Sequence, residues 1–153
     1  MATKKRWVHE LMNPDVLCLS PKTTVREAEQ LLAKRGVSGA PVVDERGRAV
    51  GVISQTDLVR HQSARVTAAQ TGRFYTDVDD YRDLLEMPVD RSDTPVEQLM
   101  SRQVYSVTRD TGAASAANVM RERRIHRLIV TDRGLVVGVV SSLDLLRIVE
   151  EMA

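Results

Sequence analysis

Apolar positions along the chain switch between two patterns: a spacing of three to four, which marks one face of a helix, and short β-branched runs, which mark buried strands. Trp7, Val8, Leu11 and Met12 make a short amphipathic turn closed by Asn13-Pro14. Val16 to Leu19 reads as a short strand, with Cys18 as a small buried residue within it. The loop Ser20-Pro21-Lys22-Thr23-Thr24 leads to a helix with Val25, Ala28, Leu31 and Leu32 on one face, ended by Gly36. Pro41-Val42-Val43 is a strand, Asp44-Glu45-Arg46-Gly47 turns it, and Ala49 to Ile53 returns as the second arm of a hairpin. A second helix starts at Ser54 and carries Leu58 and Val59.

The same order then recurs. Leu99-Met100 lies 88 positions after Leu11-Met12. Val104 to Val107 is the strand, and Ala113, Ala116, Val119 and Met120 are the helix face. Arg127 to Val130 and Leu135 to Val140 flank the turn Asp132-Arg133-Gly134. That turn is one residue shorter, so Gly51 meets Gly138 and Asp57 meets Asp144 at an offset of 87. The pattern predicts an α/β (α+β) protein of two β-α-β-β-α repeats, packed against each other as a pseudo-twofold pair. The expected boundaries are 8–62 and 95–150, joined by a connecting segment 63–94. That segment is longer than the fold needs and holds Phe74, Tyr75 and Tyr81. A helix over Asp79 to Glu86 would set Tyr81, Leu84 and Leu85 on one side, either as a cover for an exposed edge or as a lid or docking segment. Its acidic run, Asp77, Asp79, Asp80 and Asp83, lacks the glycine and terminal glutamate of a calcium loop and reads as solvated charge.

Composition narrows the function classes. Charges nearly cancel, at net +1, so nothing indicates a general electrostatic grip on nucleic acid. One cysteine excludes an internal disulfide framework and a cysteine-based metal cluster. The basic Met1–Arg6 stretch has no apolar signal core after it, and no apolar run approaches a membrane span, so no membrane association is expected and a cytoplasmic location is the default. There is no P-loop, no GxGxxG, no zinc spacing and no nucleophile pair. His9 and His61 read as surface residues. No catalytic residue, metal ligand or required cofactor is assigned.

The chemistry concentrates at two strand-to-helix corners, Gly51-Val52-Ile53-Ser54-Gln55-Thr56-Asp57 and Gly138-Val139-Val140-Ser141-Ser142-Leu143-Asp144. Ser54 with Asp57, and Ser141 with Asp144, fit the [ST]-x-x-[DE] capping pattern, worth ~1 kcal/mol per cap. Capping does not explain Gly51 and Gly138, since a glycine inside a strand often marks close approach of another backbone or of a ligand. Nor does it require Thr56. A carboxylate can accept from two ribose hydroxyls, and the start of a helix can donate to phosphate. Arg124, His126 and Arg127 could supply cations, with Arg121 and Arg123 nearby; on a strand, Arg124 and His126 would share one side. The bland reading of Arg121 to Arg127 is a solvated helix end whose cations suit the dipole. On the residues alone the two readings stand level.

The doubled corner, with Pro41-Val42-Val43-Asp44 and Ile125-His126-Arg127-Leu128-Ile129-Val130 in this order, resembles the cystathionine-β-synthase (CBS) domain family. Two such domains resemble a stand-alone CBS pair, or Bateman module, from about Val8 to Arg147. The resemblance implies adenosine-containing ligands, such as AMP, ADP, ATP or S-adenosylmethionine, in clefts between the domains. The family's ribose-binding aspartate falls on Asp57 and Asp144. The hydroxyl residue before it falls on Thr56 but on Leu143 in the second repeat. Ile125-His126-Arg127-Leu128 is similar to the His-Arg segment that meets nucleotide phosphates in the regulatory gamma subunit of AMP-activated kinase; its counterpart, Ser38-Gly39, has no cation. The expected site joins Asp57, Thr56 and Ser54 to His126 and Arg127, with a weaker corner at Asp144 and Ser141. Thr23 and Thr24, or Thr111, are expected to contribute, and the base to lie near Val37, Ala40 and Ile125. The implied role is a regulatory nucleotide-binding module, a homodimer and not an enzyme, whose conformational change is read by an unidentified protein in trans. A ligand-free interaction scaffold is the alternative, and nucleic-acid binding through Arg121 to Arg127 a weaker third.

Overall fold

The computed structural model describes residues 4–62 and 93–153. The expected helix at Asp79–Glu86, the acidic run, Phe74, Tyr75 and the side chain of His61 lie outside the described residues. The chain divides into two compact units, one of residues 1–16 with 105–153 and the other of 17–104. The units therefore cut across the sequence repeats. Each repeat's body is completed by the segment that precedes the other repeat.

The unit of residues 17–104 contains α2 (Val25–Arg35), β1 (Gly39–Val43), β2 (Ala49–Ser54) and α3 (Gln55–Gln62). β1 and β2 are antiparallel, with Ala40 opposite Ile53 and Val42 opposite Gly51. On one side of this hairpin, Leu19 forms a parallel bridge to Val42; on the other, Ser101 forms an antiparallel bridge to Val52. Thr24 caps α2 by accepting from the Glu27 N–H through its hydroxyl at 3.2 Å. Val25, Ala28 and Leu32 of α2 pack with Val42, Ile53 and Leu58, and with Val96 and Leu99 from the segment after the connection. Those two aliphatic anchors are why residues 93–104 stay with this unit. The Val96 N–H donates to Thr23 O at 2.8 Å, and the Val25 N–H donates to Thr94 O at 2.9 Å.

The other unit repeats the arrangement. It contains α1 (Val8–Leu11), β3 (Ser106–Thr108), α4 (Ala113–Arg123), β4 (Arg127–Asp132), β5 (Leu135–Ser141) and α5 (Ser142–Glu151). β3 is parallel to β4, and β4 is antiparallel to β5. Asn13 bridges Val139 as Ser101 bridges Val52. The Val8 N–H donates to Thr111 O and the Ala113 N–H to Arg6 O, both at 2.9 Å, at the positions equivalent to Val96 and Val25. Arg6 also pairs with Glu151 at the end of α5.

Two expected elements need correction. The strand expected at Val16 to Leu19 is only the Leu19 bridge, and Cys18 is half-buried outside any strand. Its equivalent, β3, is longer because the Ile129 N–H donates to Tyr105 O at 3.1 Å. Pro41 stands at the place of Ile129 and has no N–H to offer Leu17. The second correction concerns Arg124. It does not lie on a strand beside His126; β4 begins at Arg127, and Arg124 is the left-handed cap of α4.

Candidate functional site

At the first corner the last residue of β2 turns directly into α3. The Ser54 hydroxyl accepts from the Asp57 N–H at 3.1 Å, and Asp57 Oδ2 accepts from the Ser54 N–H at 2.9 Å. The Gln55 N–H donates to Ser38 O at 2.8 Å, which ties the start of α3 to the loop before β1. Ser54, Thr56 and Asp57 are all buried, Thr56 at 7% exposure and Asp57 at 8%. A carboxylate this far out of water must be hydrogen-bonded. The cap uses Oδ2.

The second corner copies the first. The Ser141 hydroxyl accepts from the Asp144 N–H at 3.1 Å, and Asp144 Oδ2 accepts from the Ser141 N–H at 2.8 Å. The Ser142 N–H donates to His126 O at 2.8 Å, as Gln55 does to Ser38. These two helix-start bonds were not foreseen from the sequence, although the shared offset between the repeats carried the signal. The corners differ at the residue before the aspartate. Where Thr56 is buried, Leu143 is 73% exposed.

The strand glycines answer to backbone rather than ligand. A Cβ on Gly51 would lie 2.6 Å from Met100 Sδ and 2.7 Å from Ser101 O, and one on Gly138 would lie 2.6 Å from Met12 Sδ and 3.0 Å from Asn13 O. The repeated Leu-Met pair and the repeated glycine are therefore two sides of one contact. Each Met lies flat on its glycine, where any side chain would displace the bridging segment.

The expected site residues fall in the two units as follows. Ser54, Thr56 and Asp57 share theirs with Thr23, Thr24, Val37 and Ala40. Ser141 and Asp144 share the other with Ile125, His126 and Arg127. Thr23 Oγ1 accepts from the Ser20 N–H at 3.1 Å and Thr24 Oγ1 caps α2, so both already have structural work. Ala40 and Ile125 are buried, whereas Val37 is exposed. His126 is exposed and Arg127 half-buried. Burial pushes the Cys18 thiol up from its ordinary value, which makes it a poor nucleophile. Among the described residues no three His, Cys, Asp or Glu side chains gather as a metal site. Among them, too, no helix is long and apolar enough to cross a membrane.

Comparison with known proteins fits this doubled corner. The family model of the CBS domain matches residues 8–64 and 96–151. The chain belongs to the CBS-domain family. An uncharacterized protein of Methanocaldococcus jannaschii is 29% identical over 136 residues; the match takes 88% of this chain and spans 36% of that relative. Among solved structures, CBSX2 in complex with AMP is 25% identical, with a TM-score of 0.69 over 95% of this chain and 97% of that one. The CBS pair of the protein MJ0100, in complex with 5-methylthioadenosine and S-adenosyl-L-methionine, shares the fold at 21% identity, with a TM-score of 0.68 over 97% and 99% of the two chains.

Proposed function

We propose that this CBS pair is a regulatory module that binds an adenosine-containing ligand and has no catalytic role of its own. The observation that carries this reading is the fixed carboxylate at each corner. Asp57 and Asp144 are each locked by a reciprocal cap through Oδ2. Such an aspartate holds a set orientation before any ligand arrives and can accept from the paired hydroxyls of a ribose. The complex of CBSX2 with AMP supports the choice of ligand class. The candidates for the ribose side are Asp57 and Thr56, in the unit of residues 17–104, and those for the phosphate side are His126 and Arg127, in the other unit. Asp144 and Ser141 form a second, weaker corner, because Leu143 replaces the hydroxyl of Thr56.

Ligand binding would favour one arrangement of the two halves, and a protein in trans would read that arrangement. A second copy of the chain is the nearer partner. α5 has no buried residue and carries Leu143, Leu146, Val149 and Met152 exposed at three-residue spacing. Arg147 and Glu150 flank that stripe, so an antiparallel second α5 would set opposite charges side by side.

Thermal unfolding with AMP, ADP, ATP and S-adenosylmethionine tests the reading. A ligand present at about 100 times its dissociation constant stabilises by about 2.7 kcal/mol. Absence of a shift with all four would replace this function by that of a ligand-free scaffold.

A further inference from the structure

We propose that Arg124 makes the phosphate side of this site selective for a chain of two or more phosphates over a single one. The inference rests on the nucleotide-binding reading above and deepens it. Arg124 closes α4 at φ 55° and ψ 44°, in the left-handed region. Its counterpart Gly36 closes α2 at φ 65° and ψ 34°. The two caps do the same work: the Gly36 N–H donates to Ala33 O and Leu32 O, and the Arg124 N–H donates to Arg121 O and Met120 O. Glycine adopts this conformation without steric cost, and a side chain does not. The other described non-glycine residue with positive φ, Arg133, is accounted for by its two-residue hairpin turn.

The helix dipole does not explain Arg124. Cations on the last turn of a helix are favoured, and both helices have them: Lys34 and Arg35 on α2, Arg121 and Arg123 on α4. Only the second repeat adds an arginine at the cap itself. Nor is its charge spent within the fold. Arg121 holds Asn118 Oδ1 at 3.0 Å, and Arg123 lies 5.8 Å from the centre of the Tyr105 ring. Among the described residues, neither the Arg124 guanidinium nor the His126 ring has a side-chain partner, and both residues are exposed.

Chain geometry points to what Arg124 would hold. It stands two positions before His126, a span of at most about 7 Å between backbones. That distance suits a second or third phosphate of a chain whose first phosphate lies at His126. An arginine offers paired N–H donors to phosphate oxygens, and each phosphate beyond the first brings further anionic oxygens for it to meet.

Arg124→Gly is the informative substitution, because it relieves the backbone while removing the charge. Calorimetric titration in magnesium-free buffer would compare AMP, ADP and ATP on the wild type, Arg124→Gly and Arg124→Lys. The expected result is a loss of about tenfold in ATP affinity for Arg124→Gly, one charge-assisted contact, with AMP affinity within twofold. Unliganded Arg124→Gly should melt no lower than the wild type, and Arg124→Lys should keep most of the ATP preference. An unchanged ratio of ATP to AMP affinity in Arg124→Gly would overturn the selectivity and leave nucleotide binding standing. Failure of the wild type to bind any of the three would overturn both.

Discussion

Placing Met100 on Gly51 makes Gly51→Ala a demanding test. The added Cβ would lie 2.6 Å from Met100 Sδ, 2.9 Å from its Cγ and 2.7 Å from Ser101 O. The methionine can rotate away, but the carbonyl cannot. Ser101 O accepts from the Val52 N–H and the Ser101 N–H donates to Val52 O, both at 2.9 Å, so retreat of the carbonyl breaks the bridge. Overpacking of this kind costs about 1–3 kcal/mol, and each lost hydrogen bond adds about 1. Alanine's smaller unfolded-state entropy returns about 0.5–1 kcal/mol. With both bonds of the bridge lost, the net destabilisation is about 2–4.5 kcal/mol. At Gly138 the carbonyl, Asn13 O, stands farther off at 3.0 Å, so Gly138→Ala should cost about 1–2 kcal/mol. Adding Met12→Ala should recover more of the Gly138→Ala clash than Met100→Ala recovers of Gly51→Ala, because only the sulfur clash is removed. Urea unfolding at constant slope gives each value. If Gly51→Ala unfolds within 0.5 kcal/mol of the wild type (roughly the scatter of neutral surface changes), residues 100–101 do not lie on β2.

Three further outcomes are expected. Asp57→Asn keeps an oxygen for the Ser54 N–H and should fold normally while losing nucleotide-induced stabilisation; Asp57→Ala should also lose about 1 kcal/mol of cap, both read by thermal unfolding with and without AMP. Asp44 accepts from the Arg48 and Arg46 N–H groups through Oδ1, and these bonds hold its carboxyl below its ordinary value. Its contribution is therefore present above the unfolded-state value and lost as pH falls through the lower folded one, so the stability gap between wild type and Asp44→Asn should be open near neutral pH and close as an acid titration passes below the ordinary carboxylate range. Leu146→Glu places a charge in the exposed stripe of α5 and should shift the mass measured by light scattering from dimer to monomer, with unchanged mass counting against that interface.

Much of the fold was legible because each signal was local. The capping residues Ser54, Asp57, Ser141 and Asp144, the stop at Gly36 and both hairpins need only neighbours within a few positions, and these appear where the pattern predicts. The Leu19 strand is cut short for a reason that lies on its pairing partner, the missing N–H of Pro41. The conformation of Arg124 was less accessible. Nothing in Arg-Arg-Ile-His-Arg announces a left-handed residue, and only alignment with Gly36 of the other repeat reveals that the backbone demands one.

The least legible feature was which segment completes which half, and the reason is general to tandem repeats. A repeat in sequence fixes an offset, but an offset is blind to exchange: Leu11-Met12 could close either Gly51 or Gly138 with the same chemistry. The structure spends Met12 on Gly138 and Met100 on Gly51. Each half then depends on residues at a distance in sequence for its last bridge and, in the unit of residues 17–104, for Val96 and Leu99 of its core. Such long-range closure makes the halves poor candidates for independent folding. A chain cut at the sequence boundary, 8–62 alone, would expose Leu19, Val25 and Ile53 where Val96 and Leu99 now cover them. The loop carrying Thr23 is bonded to Val96, and the loop carrying Thr111 is bonded to Val8, so each loop is tied to the segment leading into the other repeat.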